Sequence, residues 1–230
     1  MPDKALFPFM MGEDEGAQIF VKARNSIYDS CVNPVNIKRC CHLSIDYKLT
    51  VKVVAIVGMT GAGKSEVARV FEGHGFRKVR FGDITDEELK NRGLESNEEN
   101  ERYIREQLRE KHGMAAYAKL NLPRIDNLLK SSDVVVDGLY SWEEYILLKE
   151  CYGERLKVLA VWASPATRYA RLTQRAKRPL TLEEAAGRDK SEIENINKGG
   201  PIAMADFTIL NETSLEELRR DTKRVLSALR

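Results

Sequence analysis

Gly58-Met59-Thr60-Gly61-Ala62-Gly63-Lys64-Ser65 is the stretch whose reading decides the fold. Its spacing is G-x4-G-K-[ST], and its surroundings give that spacing a meaning. The β-branched run Val51–Val57 precedes it and reads as a strand. Lys64–Glu72 follows and reads as a helix, with Val67, Val70 and Phe71 on one face and Gly73 as its stop. Glycines at 58, 61 and 63 permit backbone angles and close approaches that a Cβ would block. The N–H groups of the loop and of the helix start can then face phosphate oxygens. All eight residues from Gly58 to Ser65 are therefore expected to line a bound nucleotide. Lys64 is expected to reach the β- and γ-phosphates, and Ser65 to place its hydroxyl on Mg²⁺. A glycine turn that merely joined a strand to a helix would have no need of Lys-Ser at its end.

Downstream, apolar runs alternate with helical segments. Further strands are expected at Lys78–Phe81, Asp133–Asp137, Leu156–Trp162 and Phe207–Leu210. Charged helical sequence spans residues 85–112, broken near Gly93. Residues 114–131 are expected to be helical, with Pro123 starting a second helix or kinking the first. Ser141 with Glu144, and Thr181 with Glu184, have capping-box spacing and open helices over 141–150 and 181–197. An Arg-rich helix is expected over 165–177, and a last one from Ser214 to Leu229. Strands alternating with helices predict an α/β fold. Its five-stranded parallel sheet should carry helices on both faces, because the strands are continuous apolar runs. Trp142 and Trp162 are read as core residues.

The chain has 230 residues, 43% of them apolar and 31% charged. That suits one domain, expected over 51–230, with some additional length. Residues 1–50 show no sustained periodicity and are interrupted by Pro2, Pro8, Gly12, Gly16 and Pro34. They read as an irregular arm, either disordered or loosely packed, or as the product of a start codon assigned too early. With 37 Lys and Arg against 35 Asp and Glu, the net charge of +2 gives no general affinity for nucleic acid or membrane. No apolar run approaches the ~20 residues that cross a bilayer. Cys31, Cys40, Cys41 and Cys151 form no CxxC pair and read as free thiols of a reducing cytoplasm.

Among phosphate-binding loop proteins, a guanine-reading NKxD motif is missing, since Asn197-Lys198-Gly199-Gly200 lacks the Asp. The strand Val134–Val136 ends in Asp137-Gly138 with no second acid, unlike the motor proteins of the class. The small kinases remain. From Val53 to Leu229 the chain resembles dephospho-CoA kinase and its nucleotide-kinase relatives, and more closely a group of archaeal P-loop proteins related to that enzyme. The resemblance rests on four stretches: the loop 58–65, the pair Gly82-Asp83, the segment from Arg168 through Arg171 to Arg175, and residues 205–218. It implies a P-loop NTPase fold of the nucleotide-kinase type with a small lid, and ATP with Mg²⁺ as cofactors. The partner it implies is a small nucleotide-like acceptor.

The resemblance also assigns roles. Asp83 would face the acceptor hydroxyl and orient or deprotonate it. Asp137 would hold a Mg²⁺-bound water. Arg171 and Arg175, four apart and expected on one helix face, would reach the same phosphates, with Lys177 and Arg178 as weaker lid candidates. Catalysis would then fall to Lys64, Asp83, Arg171 and Arg175, and the metal to Ser65 and Asp137. Two departures stand out. Asp86 and Tyr140 occupy places where relatives tend to carry Arg, which is expected to weaken the grip on an acceptor phosphate. Arg92, Arg105 and Arg109 are the expected compensating cations. Dephospho-CoA at its ribose 3′-hydroxyl is the first acceptor, with nucleoside monophosphates second. An ATP-binding switch with little transferase activity is the reading from another class.

Overall fold

The computed structural model describes residues 52–176 and 179–229. The expected arm over 1–50, with Cys31, Cys40 and Cys41, lies outside the described residues, as do Lys177 and Arg178. The elements in chain order are β1 (Val53–Val57), α1 (Lys64–Glu72), β2 (Arg77–Arg80), α2 (Asp83–Asn91), α3 (Glu98–His112), α4 (Ala116–Leu128), β3 (Val134–Asp137), α5 (Trp142–Tyr152), β4 (Leu156–Trp162), α6 (Pro165–Thr173), α7 (Leu182–Glu194), α8 (Gly199–Ala203), β5 (Phe207–Leu210) and α9 (Leu215–Ala228). A 3-10 turn, Gly153–Arg155, leads into β4.

The five strands form one parallel sheet in the order β2-β3-β1-β4-β5. Every residue of β1 is buried, because successive side chains point to opposite faces and both faces are covered. Val53, Ala55 and Val57 pack with Tyr117 and Ile125 of α4 and Leu148 of α5. Val54 and Ile56 pack on the other face with Val67 and Phe71 of α1 and Leu218 and Leu226 of α9. β1 lies between β3 and β4, so the chain leaves it towards β2 on one side and later crosses to β4 on the other. Open α/β sheets bind ligands at such a reversal, outside the carboxyl ends of the strands.

Both capping boxes form as expected. Ser141 and Glu144 close one around the start of α5, and Thr181 and Glu184 close the other at α7. The break expected near Gly93 is present: residues 85–112 divide into α2 and α3, the second capped by Asn97, whose side chain accepts from the N–H of Asn100 at 2.9 Å. Several expectations need correction. Pro123 sits inside one continuous α4 and does not start a second helix. The Arg-rich helix stops at Thr173, so Arg175 does not share a helix face with Arg171. Trp162 is 43% exposed rather than core, because it ends β4 beside Leu210 of edge strand β5, itself 64% exposed. Short α8 follows Asn197, whose φ of 50° turns the chain.

Candidate functional site

The loop 58–63 leaves the carboxyl end of β1 with φ of 149° at Gly58, 84° at Gly61 and 106° at Gly63. A Cβ at Gly58 would overlap the carbonyl oxygen of Val161 on β4, and one at Gly63 would overlap the Asn211 side chain. The loop is thus pressed against β4 and the β5–α9 connection, which fixes its curvature. Asn211 is buried and donates to the Ala62 carbonyl at 2.8 Å. Arg168, buried on α6, donates to the Thr60 carbonyl at 3.1 Å. The same guanidinium forks onto Asp189 of α7 at 2.8 and 2.5 Å. Arg168 therefore ties loop, α6 and α7 together.

Lys64 folds back over the loop and donates to the carbonyls of Gly58 at 2.8 Å and Met59 at 3.0 Å. Burial, then repulsion from Lys198, pull its ammonium down to about 7 against the attraction of Glu192 and Asp137. Ser65 Oγ donates to Asp137 Oδ2 at 3.2 Å. Asp137 ends β3 in register with Ile56 of β1 and Arg80 of β2, so it stands beside the loop mouth. A hydroxyl in the first turn of α1 and a carboxylate at the end of β3 fit Mg²⁺, which takes one or two protein oxygens and completes its shell from phosphates and water. Among the described residues there is no group of three or more His, Cys, Asp or Glu that could hold a metal by itself.

A cleft of about 560 Å³ opens over the loop, a volume in the range of small-molecule sites. Arg171 and Arg175 line it on the α6 side, and Arg80, Asp137 and Tyr140 line it on the β2–β3 side. Nη1 of Arg171 is buried with no hydrogen-bond partner among the described residues. Asp83 is not among the lining residues. It begins α2, where Arg80 Nη1 holds its carboxylate at 2.8 Å. The expected compensating arginines are also elsewhere. Arg92 pairs with Glu88, Arg105 with Glu98 and Glu101, and Arg109 stacks on Tyr117.

Four cations that sequence reasoning passed over line the cleft instead: Arg69, which pairs with Glu66, and Arg80, Arg188 and Lys198. Lys198, in the string dismissed as an incomplete guanine motif, is fully buried. Its ammonium donates to Glu192 at 2.8 Å and lies 5.2 Å from the Tyr140 ring centroid. Glu192 also accepts from Thr60 Oγ1 at 2.9 Å and Arg188 Nε at 3.3 Å. Burial pushes its carboxyl up, but Lys198, Arg188 and Lys64 outweigh that and hold it well below the usual carboxylate range. The i, i+4 spacing of Arg188 and Glu192 was the available signal, but on a helix it reads equally as a solvated ion pair.

The family model described as an AAA domain matches residues 54–197. A UPF0200 protein of Pyrococcus abyssi is 36% identical, over 76% of this chain and 95% of the relative. A gluconokinase from Sinorhizobium meliloti 1021 shares the fold with a TM-score of 0.51 at 16% identity, over 78% of this chain and 94% of its own. A shikimate kinase from Bacteroides thetaiotaomicron does so with a TM-score of 0.51 at 11% identity, over 77% and 97%.

Proposed function

The chain belongs to the UPF0200 family and carries an AAA domain on a P-loop kinase fold, and on that premise we propose that it is an ATP-dependent phosphotransferase with a small nucleotide-like acceptor. The observation that carries this reading is the convergence of Lys64, the Ser65–Asp137 pair and cations from both sides on one cleft at the strand ends. Phosphoryl transfer needs positioning and charge neutralisation more than covalent chemistry, and those are what such a cleft supplies. The loop N–H groups would hold the β- and γ-phosphates. Lys64 would leave the Gly58 and Met59 carbonyls for the phosphate oxygens. Arg171, with its unpartnered Nη1, would neutralise charge from the α6 side together with Arg175. Mg²⁺ held through Ser65 and Asp137 would offset charge on the β- and γ-oxygens.

The resemblance of residues 205–218 favours dephospho-CoA as acceptor, and nucleoside monophosphates are the second candidate. A switch that binds ATP without transfer is the competing class. The test is ATP turnover with Mg²⁺ over a panel of acceptors, with products read by mass. The kinase reading predicts one phosphorylated acceptor. It also predicts that Lys64→Ala lowers turnover at least about a hundredfold with the fold intact, the usual scale for losing a transition-state charge stabiliser. Wild-type turnover in that variant would refute the loop's assignment.

A further inference from the structure

Resting on the kinase reading, we infer that the reacting group of the acceptor is an ionised phosphate, gripped by Arg80, Lys198 and Arg188 at the β2–β3 end of the cleft, and not a sugar hydroxyl activated by Asp83. The sheet register gives the layout. Arg80 ends β2 opposite Asp137, and Asp137 is opposite Ile56 of β1. Strands stand about 4.8 Å apart, so Arg80 is two strands, about 10 Å, from the strand that feeds the phosphate loop. Arg171 and Arg175 occupy the other side of the loop. The cleft thus has two cationic ends with Lys64 between them.

The second end keeps unused donors. Among the described residues Arg80 gives both its hydrogen bonds, to Asp83 and Asp86, from Nη1. Arg188 uses Nε on Glu192 and Nη1 on Glu98. Among the described residues, Lys198 makes one hydrogen bond, to Glu192. Among the same residues, Nε and Nη2 of Arg80, Nη2 of Arg188 and two Nζ hydrogens of Lys198 meet no acceptor and can serve a ligand. Two like charges held together by one buried carboxylate, Glu192, form a built arrangement rather than a solvated face. Tyr140 stands among them with its ring against Lys198 and its edge on Tyr117, 5.5 Å between centroids. Its phenol is pushed up by burial and by Asp137, so it remains a donor.

A hydroxyl acceptor must lose a proton, and a carboxylate usually takes it. Of the candidate carboxylates, Asp83 is held by Arg80 and is not among the lining residues, Asp137 is engaged by Ser65, and Glu66 is paired with Arg69. A phosphate monoester arrives already ionised and needs no base. One of its oxygens attacks the γ-phosphorus. The new P–O bond forms as the bond to the β,γ-bridging oxygen breaks, and ADP leaves with that electron pair. No proton moves. Arg80 and Lys198 thereby fill the place left by the absent arginines at 86 and 140, and the expected weak grip on an acceptor phosphate is reversed.

The test compares ribonucleoside monophosphates with the matching nucleosides and with dephospho-CoA, using the full chain, ATP and Mg²⁺. Nucleoside diphosphate should form. Equilibrium binding should favour at least one monophosphate over its nucleoside by about tenfold or more, and Arg80→Gln should erase that preference while leaving ATP affinity within about twofold. Equal binding of every monophosphate and its nucleoside would overturn the inference whatever the turnover. CoA formed from dephospho-CoA while the monophosphates stay inert would overturn it too, yet leave the kinase reading standing. Phosphate-dependent binding with no product from any acceptor would sink the transfer step and the kinase reading together.

Discussion

Lys64 shows what burial does to one charge. Its ammonium sits near Lys198 as well as Glu192 and Asp137, and falls to about 7 from an ordinary 10.5. Between those values the unfolded chain binds more protons at this site than the folded one, so stability rises with pH across the window. Ligand-free protein should therefore resist denaturant better at pH 9 than at pH 7, and Lys64→Met should flatten the difference. The same rise in the variant would place its origin elsewhere. At this scale the phosphate loop was legible, because glycine spacing, Lys and Ser constrain one another within eight residues. Arg80 was not, since its strand RKVR reads as a charged sheet edge. Lys198 and Glu192 were not either, because only the folded chain brings them to Thr60.

At the scale of elements, α6 and α7 are joined by one buried fork, Arg168 to Asp189, with Tyr169 also donating to Asp189 at 3.0 Å. Leu172, Leu180 and Ala185 pack beneath it. Removing one partner strands the other charge, so Arg168→Ala should destabilise the fold by about 3–5 kcal/mol, read as a lowered denaturant midpoint. An unchanged midpoint would mean the pair is solvated. Capping boxes made the starts of α5 and α7 readable. The end of α6 was missed because Arg171 and Arg175 keep a helical spacing beyond Thr173, where the chain has already turned. Nothing local in the sequence reveals that Arg80, three residues before Asp83, pairs with its carboxylate.

For the whole molecule, the alternation of apolar runs with helices was enough to give a five-stranded parallel sheet, because burial on both faces leaves a continuous apolar signature. Strand order was not readable from that signature. It follows from the placing of β1 between β3 and β4, and it puts Arg80 on one side of the phosphate loop and Arg171 and Arg175 on the other. On the kinase reading this cleft passes a phosphoryl group between two ligands rather than sensing one. Following ATP labelled with ¹⁸O on its γ-phosphoryl oxygens, in the presence of the acceptor panel, tests it most directly. The label should appear in a phosphorylated acceptor, with little in free phosphate. Label recovered only in inorganic phosphate, at a rate no acceptor changes, would contradict it.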